Sequence, residues 1–343
     1  SVVRSLNRMT QQAMRVLITG GAGFIGSHLA EAHLEKGDEV YIIDDLSTGS
    51  LENIKALQEN EHFKNRLFVT VDSILNHQKM LELVGICHQV YHLAAAVGVL
   101  YVLEHPFESI RTNIQGTEKV LELSNKFKKR VVIASSSEVY GKHEHSPLVE
   151  TDDLVYGPST KFRWSYAASK LMDEFMALAY HRTNRLEVVI ARLFNTVGPR
   201  QTGAYGMVIP RLVGQALRGE PLTVYGDGKQ TRTFTYVKDV VEALMGLMTS
   251  RDATGKVFNV GGTEEISIEA LAKKIVAMTG TKSEIQCVPY EVAFEKDFED
   301  MRRRVPSLQK IKDCIGFEPK TDLDEMLRRV IKTMSPFREA PSR

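Results

Sequence analysis

Between Arg15 and Gly26 the chain reads RVLIT followed by GGAGFIG, so a short β-branched run passes straight into clustered glycines and then an amphipathic stretch. Few features restrict a fold as strongly. A strand that turns tightly into a helix gathers backbone N–H groups at a helix N-terminus, a point of positive potential suited to a pyrophosphate. The glycines fall at both GxxGxxG and GxGxxG spacings: the first permit the turn and close approach of a phosphate, and Gly26 lets the helix pack near the sheet. A second run, EVYIID, ends in Asp44, 18 residues beyond Gly26. A carboxylate there accepts hydrogen bonds from both hydroxyls of an adenosine ribose. A 2′-phosphate would meet an anion with no arginine immediately beside it, so NAD is expected rather than NADP. Gly20, Gly23, Phe24, Ile25, Gly26 and Asp44 are therefore cofactor-binding candidates. Asp72 and Ser73, ending the third run, are expected near the adenine, and Leu93, Ala94 and Ala95, ending the fourth, along the dinucleotide.

Six such runs alternate with amphipathic segments, at 15–19, 39–44, 66–71, 89–94, 130–135 and 187–193, with helices expected around 24–36, 104–128 and 166–183. The alternation predicts an α/β fold, a Rossmann-type doubly wound parallel sheet over residues 14–195. The 343 residues exceed what one core usually serves, and the pattern changes after Asn195. Residues 196–343 are expected to form mainly a smaller α/β lobe for substrate, with part of 230–262 returning to the sheet. Residues 1–13, polar and without strong periodicity, read as a flexible extension. Lys and Arg (44) nearly balance Asp and Glu (43), leaving no broad electrostatic footprint for nucleic acid or an anionic membrane. No stretch has the apolar length of a membrane span. Three scattered cysteines suggest neither a zinc site nor a disulfide framework, and fit a reducing, cytoplasmic setting.

Chemistry is carried by Tyr166-Ala167-Ala168-Ser169-Lys170, which sets a phenol and an ammonium one helical turn apart on the same face. A free tyrosine is too weak an acid to act as a base at neutral pH, but a nearby lysine and a nicotinamide cation favour its phenolate. Tyr166 can then take a proton from a hydroxyl while hydride leaves the same carbon, with Lys170 also binding the nicotinamide ribose. Upstream, the fifth strand runs into Ser135-Ser136-Ser137-Glu138. Ser136 is the first choice to hydrogen-bond the reacting oxygen, with Ser135 and Ser137 close behind; alternatively all three bond only turn backbone. Glu138 reads as a second acid/base, as an orienting group, or as a solvent-facing turn residue.

On the helix from Tyr166, Leu171, Phe175 and Leu178 line one face and Met172, Met176 and Ala179 a neighbouring one. An apolar arc that wide suits a helix buried within one chain, or one that packs on the sheet and also on a second subunit.

Together TGGAGFIG, DDLSTG, HLAA, SSSEVYG, YAASK, RLFNTVGPR, PLTVYGDGKQTRTFTYVKDV and RVPSLQKIKDCIGFEPK resemble an extended short-chain dehydrogenase/reductase of the NAD-dependent epimerase/dehydratase family, over about residues 14–335. The resemblance implies oxidation of a nucleotide sugar at C4 with tightly held NAD. By position it implies Tyr166 as base, Lys170 as its partner, Ser136 as the usual Thr/Ser, and a homodimer through the helices near 104–128 and 166–183. It also implies that Asn195 bonds the diphosphate or sugar, that Tyr225 lies near the nucleoside, and that Arg232 and Arg304 hold the diphosphate. Arg302 and Arg303 read instead as a solvated run balanced by Glu295, Asp297, Glu299 and Asp300. Among the family's reactions, a 4,6-dehydratase carries an Asp where Ser137 stands, and Ser137 is counted as substrate-binding here. UDP-glucuronate decarboxylases have Ser-Glu at this point, and the bacterial lipid-A-modifying branch approaches its YxxxK through a segment like Lys161-Phe162-Arg163-Trp164. Decarboxylation of UDP-glucuronate is thus the leading expectation. HLAAAVGVLYVLEHP is more like an epimerase's segment, which makes a UDP-hexose or UDP-hexuronate 4-epimerase the runner-up. A dinucleotide-sensing regulator is the non-enzymatic alternative, which retention of the tyrosine-lysine couple argues against.

Overall fold

The computed structural model describes residues 13–95, 99–202, 207–293 and 301–335, so nearly all of the expected N-terminal extension lies outside the described residues. Strands β1 (Arg15–Thr19), β2 (Glu39–Asp44), β3 (Leu67–Val71), β4 (Gln89–His92), β5 (Arg130–Ser136) and β6 (Val188–Leu193) alternate with six helices. The helices are α1 (Phe24–Lys36), α2 (Glu52–Glu59), α3 (His77–Ile86), α4 (Val99–Glu104), α5 (Pro106–Lys126) and α6 (Arg163–Asn184). A seventh strand, Lys256–Val260, pairs with β6. The order is Lys256–Val260, β6, β5, β4, β1, β2, β3, parallel throughout. Both faces are covered: Val16, Ile18, Val40 and Ile42 pack beneath α1 and helix Val237–Thr249, while Leu17, Ile43, Val90 and Ile133 pack beneath α3, α5 and α6. Burial on both sides is why these strands are almost continuously apolar. Because β1 lies beside β4 rather than β3, the chain winds in opposite directions from that point, and a crevice opens over the carboxyl ends of β1 and β4.

Three boundaries differ from the sequence expectation. β4 stops at His92: Leu93 N still reaches the Thr19 carbonyl (3.1 Å), but Ala94 N turns to the Thr19 hydroxyl (3.1 Å) instead of continuing the ladder. The expected helix 104–128 runs from Pro106 to Lys126, Pro106 starting it at a position where a missing N–H costs nothing, and the separate α4 ends just before it at Glu104. The helix expected from Tyr166 begins at Arg163, so the tyrosine sits beyond the first residues of α6 rather than at its tip.

After Asn195, helices Val208–Arg218, Ile268–Thr279 and Leu323–Met334 surround a second core that includes Leu212, Val213, Leu271, Ile275 and Leu327. Helix Val237–Thr249 and strand Lys256–Val260 belong instead to the large sheet. In the smaller lobe, strand Arg303–Arg304 pairs in parallel with Thr231–Thr233, which puts Arg304 directly beside Arg232. Among the described residues no helix is long and apolar enough to cross a membrane.

Candidate active site

A cleft of about 460 Å³ runs from the glycine turn, across the ends of β5 and β6, to the smaller lobe. At its first end the turn depends on close backbone approach. Gly20 has φ +71°, and a side chain there would sit 2.8 Å from the Ala94 nitrogen; one on Gly26 would lie 2.2 Å from the Gly20 carbonyl oxygen. Gly23 caps α1 without a side-chain bond, leaving the helix N-terminus without a built-in anion. Asp44 is buried at the end of β2, where it accepts from Ala22 N (3.0 Å) and Leu46 N (2.8 Å). Burial raises its pKa above the usual carboxylate value, and those two backbone donors oppose the rise. Each oxygen can accept a second hydrogen bond, as a ribose diol would require. This cradle therefore fits a dinucleotide. Gly20, Gly23, Phe24, Ile25, Gly26, Asp44, Asp72, Leu93, Ala94 and Ala95 all line the cleft. Ser73 does not: its hydroxyl accepts from Leu75 N at 3.1 Å, closing a local turn rather than facing a ligand.

At the middle of the cleft the three serines have separated roles. Ser135 donates to Glu174 (2.6 Å), which also holds Arg192 in a buried pair at 2.8 Å. Ser136 lies beside the Tyr166 phenol, and its hydroxyl caps the short helix Ser137–Tyr140 by accepting from Glu138 N at 3.2 Å. Ser137 is buried and lines the cleft. Burial raises the Tyr166 phenol well above the ordinary tyrosine range, Glu138 and Asp173 add to the rise, and the neighbouring Ser136 hydroxyl opposes it. Lys170, 2% exposed, donates to Ala134 O at 3.0 Å and lies 3.5 Å from Asp173.

Glu138 is a clamped anion. Arg304 Nη1 bonds it and Arg163 Nη2 approaches to 3.6 Å. Burial would raise its pKa, but Arg304, Arg163 and Arg232 outweigh that and hold the carboxyl at about 2. Of the roles left open by the sequence, orientation fits this environment, whereas a proton donor near neutral pH does not. Arg163 is a member of the site that sequence reading left out of its candidates. Its position three residues before Tyr166, on the same helical face, was the available signal.

The far end holds Asn195, Tyr225 and Arg232, joined by Gln230 and by Arg211, the latter outside every motif, while Arg304, beside Arg232, reaches back to Glu138. The Arg211 guanidinium stacks over the Tyr225 ring at 4.2 Å. Arg302 and Arg303 are exposed, but their described partners are Asp227 (3.0 Å) and Glu265 (2.7 Å); residues 294–300, which include the expected partners, lie outside the described residues.

Residues 17–330 match the family described as GDP-mannose 4,6 dehydratase. The chain is 42% identical to a UDP-N-acetyl-α-D-glucosaminuronate decarboxylase of Bacillus cytotoxicus, over 93% of this chain and 97% of that one. It is 37% identical to UDP-glucuronic acid decarboxylase 4 of Arabidopsis thaliana, over 94% of this chain and 69% of the relative. Among solved structures, a UDP-glucuronic acid 4-epimerase from Bacillus cereus, in complex with UDP-glucuronic acid and NAD, superposes with a TM-score of 0.83 at 28% identity, covering 93% of this chain and 98% of that one. With a glycine cradle that fits the dinucleotide, a tyrosine-lysine couple beside it and these relatives, the chain belongs to the GDP-mannose 4,6-dehydratase family, extended short-chain dehydrogenase/reductases that use NAD to modify nucleotide sugars through oxidation at C4.

Proposed function

We propose that this chain oxidises a UDP-linked hexuronate at C4 and releases its carboxylate as carbon dioxide. The observation that supports this most is the Glu138 clamp: two guanidiniums, Arg163 and Arg304, converge beside Ser136 and Tyr166 at the reacting end of the cleft. Guanidiniums recognise carboxylates through paired, charge-assisted N–H donors, the chemistry that a carboxylate on the sugar would call for at this end of the cleft. Ser137, where the family's dehydratases carry an acid for losing the C6 hydroxyl, has no such proton to give.

In this reading Tyr166 removes the proton from O4 while Ser136 holds that oxygen, and Lys170 binds the nicotinamide ribose. Bound NAD supplies a hydride acceptor at C4 and later returns the hydride. Once C4 is a ketone, the carboxylate stands β to it. The C5–carboxylate bond breaks, carbon dioxide leaves, and the electron pair passes into a C4 enolate. Tyr166, now carrying the proton, and Ser136 donate to the enolate oxygen, the kind of stabilisation that acts where charge develops. C5 then takes a proton from water in place of the lost carboxylate, and the proton on Tyr166 is kept for O4. Asn195, Tyr225, Arg211 and Arg232 would hold the nucleotide, Arg232 by its fork of donors.

Incubating the purified chain and NAD with UDP-glucuronate, and separately with its 2-acetamido counterpart, tests the reading by product mass. Loss of carbon dioxide is expected; an isomer of unchanged mass would make the chain a 4-epimerase, loss of water a dehydratase, and no product a regulator.

The same reading includes a homodimer in the cytoplasm. Phe107 (70% exposed) and Ile110 on α5, with Met172 and Phe175 (59% exposed) on α6, leave an apolar face on a packed helix pair, which a second copy would cover. The three cysteines are free thiols, as a reducing compartment allows.

A further inference from the structure

Beneath the tyrosine-lysine couple lies a line of buried polar groups that touches the cleft nowhere. Thr19, at the end of β1, bonds His92 Nδ1 at 2.7 Å; His92 Nε2 bonds the Thr117 hydroxyl of α5 at 2.8 Å; Thr117 lies beside Asp173 of α6, whose two carboxylate oxygens have no hydrogen-bond partner among the described residues. Asp173 is fully buried, and Lys170 Nζ lies 3.5 Å from its Oδ2.

Hydrogen-bond arithmetic gives this line a direction. The Thr19 hydroxyl oxygen accepts from Ala94 N and shares the Leu93 N–H with its own backbone carbonyl, which leaves its proton for His92 Nδ1. His92 then carries its proton on Nε2 and gives it to Thr117, whose own hydroxyl proton stays available on the side of Asp173. Burial and the nearby Lys170 charge lower the His92 pKa to about 3, in keeping with this neutral tautomer. The line therefore ends at an acceptor, and the acceptor faces the ammonium. The other charged groups around α6 are already matched: Glu174 is paired with Arg192 of β6 and bonded by Ser135 of β5, and Glu138 is held by Arg304 and Arg163. From α5, Asn113 presents a neutral amide, bonded to Ser169.

We propose that Asp173 is a positioning residue that makes the proton-transfer couple a triad, its carboxylate anchoring the Lys170 ammonium from below and opposing the ammonium's field at the Tyr166 phenol. Asp173 adds to the upward shift of the Tyr166 phenol, in the direction this requires. It is itself raised to about 6, by burial first, with Lys170 and Thr117 opposing, so the opposition is complete only above that pH. The inference rests on Tyr166 being the base.

The test is an ultraviolet titration of the phenolate in the NAD-bound protein, taken as wild type minus Tyr166→Phe so that only one of the 11 tyrosines is read. Asp173→Asn, close to isosteric, is expected to move that transition down by about half a unit to one unit, the size of shift a removed nearby charge gives. Asp173→Glu, which keeps the charge, is expected to return it toward the wild-type position. Should the amide variant fail to fold, Asp173→Ser leaves a hydroxyl for Thr117 and Lys170 and is expected to shift the transition the same way. A clear Tyr166 transition that Asp173→Asn leaves unmoved or raises would overturn the role of Asp173 alone. A wild-type titration indistinguishable from Tyr166→Phe would remove Tyr166 as the base, and the triad with it.

Discussion

The two halves of the cleft are built from different materials. The dinucleotide half is mostly backbone: a turn at residues 20–26 and the ends of β2 and β4, shaped by where side chains are missing. The substrate half is side chains from four distant segments, around 136–138, 163–170, 232 and 304, held by charge. Backbone cradles recognise what is invariant in a ligand, here a pyrophosphate and a ribose, whereas side-chain clusters can change chemistry while the frame stays. This division is how one fold hosts several reactions.

Substitutions should therefore separate the halves, chemistry failing without binding on one side and binding failing without chemistry on the other. The largest separation is expected from Tyr166→Phe. Losing a general base should lower turnover by about 10²–10⁴-fold, with NAD affinity close to wild type by calorimetry. Parallel loss of both would mean that the phenol is part of the cradle instead. The mirror experiment is Gly26→Ala. Its methyl would meet two backbone atoms, Gly20 O at 2.2 Å and Gly21 Cα at 2.8 Å, neither of which can swing aside. A cost of about 3 kcal/mol or more is expected in stability, NAD affinity or both, and an alanine variant that binds NAD normally would contradict the close packing of α1 on the turn.

Next in size is the ion cluster. The Glu138 carboxyl is depressed from 4.5 to about 2 in the folded protein. A carboxyl of lower pKa when folded binds fewer protons than the unfolded chain, so its contribution is present above about pH 4.5 and is lost as pH falls toward 2. The contribution is of order a few kcal/mol. Glu138→Gln should lose it at neutral pH and flatten the acid limb of a stability-against-pH curve measured by denaturant unfolding. An acid limb unchanged from wild type would show that Glu138 is not held by Arg304 and Arg163 in solution. Smaller still is the effect of Asp44→Asn, which trades a charged acceptor for a neutral one. NAD affinity should fall by about 1.5–3 kcal/mol, and discrimination against NADP should narrow because the repulsion of a 2′-phosphate is gone.

The contrast between the halves also explains how much could be read from the sequence. The backbone half is local: strand, turn, helix and terminal carboxylate follow one another within 30 residues, so periodicity and glycine spacing located β1, α1, β2 and Asp44. Ser73 falls outside the cleft lining, and a strand end alone does not say which side chain faces the crevice. The substrate half is assembled by topology. Arg304 meets Glu138 across 166 positions of sequence, through a strand whose partner is Arg232, and no local pattern carries that register. Family likeness suggested Arg304 and Arg232, but the capture of Glu138 by Arg304, and the inclusion of Arg163, needed coordinates. The Thr19–His92–Thr117–Asp173 line was illegible for a similar reason: two threonines, a histidine and an aspartate in apolar surroundings signal nothing until four elements pack together.

Helix α6 carries the same contrast across its own width. Its buried face holds Ser169, Lys170, Asp173 and Glu174, while Met172 and Phe175 face outward, so the apolar arc in the sequence does not mark the side packed on the sheet. Half-buried Leu171, Met176 and Leu178 lie between these extremes, an arrangement expected where polar groups are retained inward for chemistry and apolar ones outward for a partner. Phe175→Glu distinguishes a dimer face from an incidental exposed ring. At 59% exposure the ring contributes little to the monomer, so stability of the monomeric unit should change by no more than about 0.5 kcal/mol. Sedimentation should nevertheless move from dimer to monomer, since a carboxylate buried against the second copy's apolar face would have no counter-charge. A variant that sediments as wild type does would detach this face from self-association, leaving the inward polar side of α6 as its only assigned role.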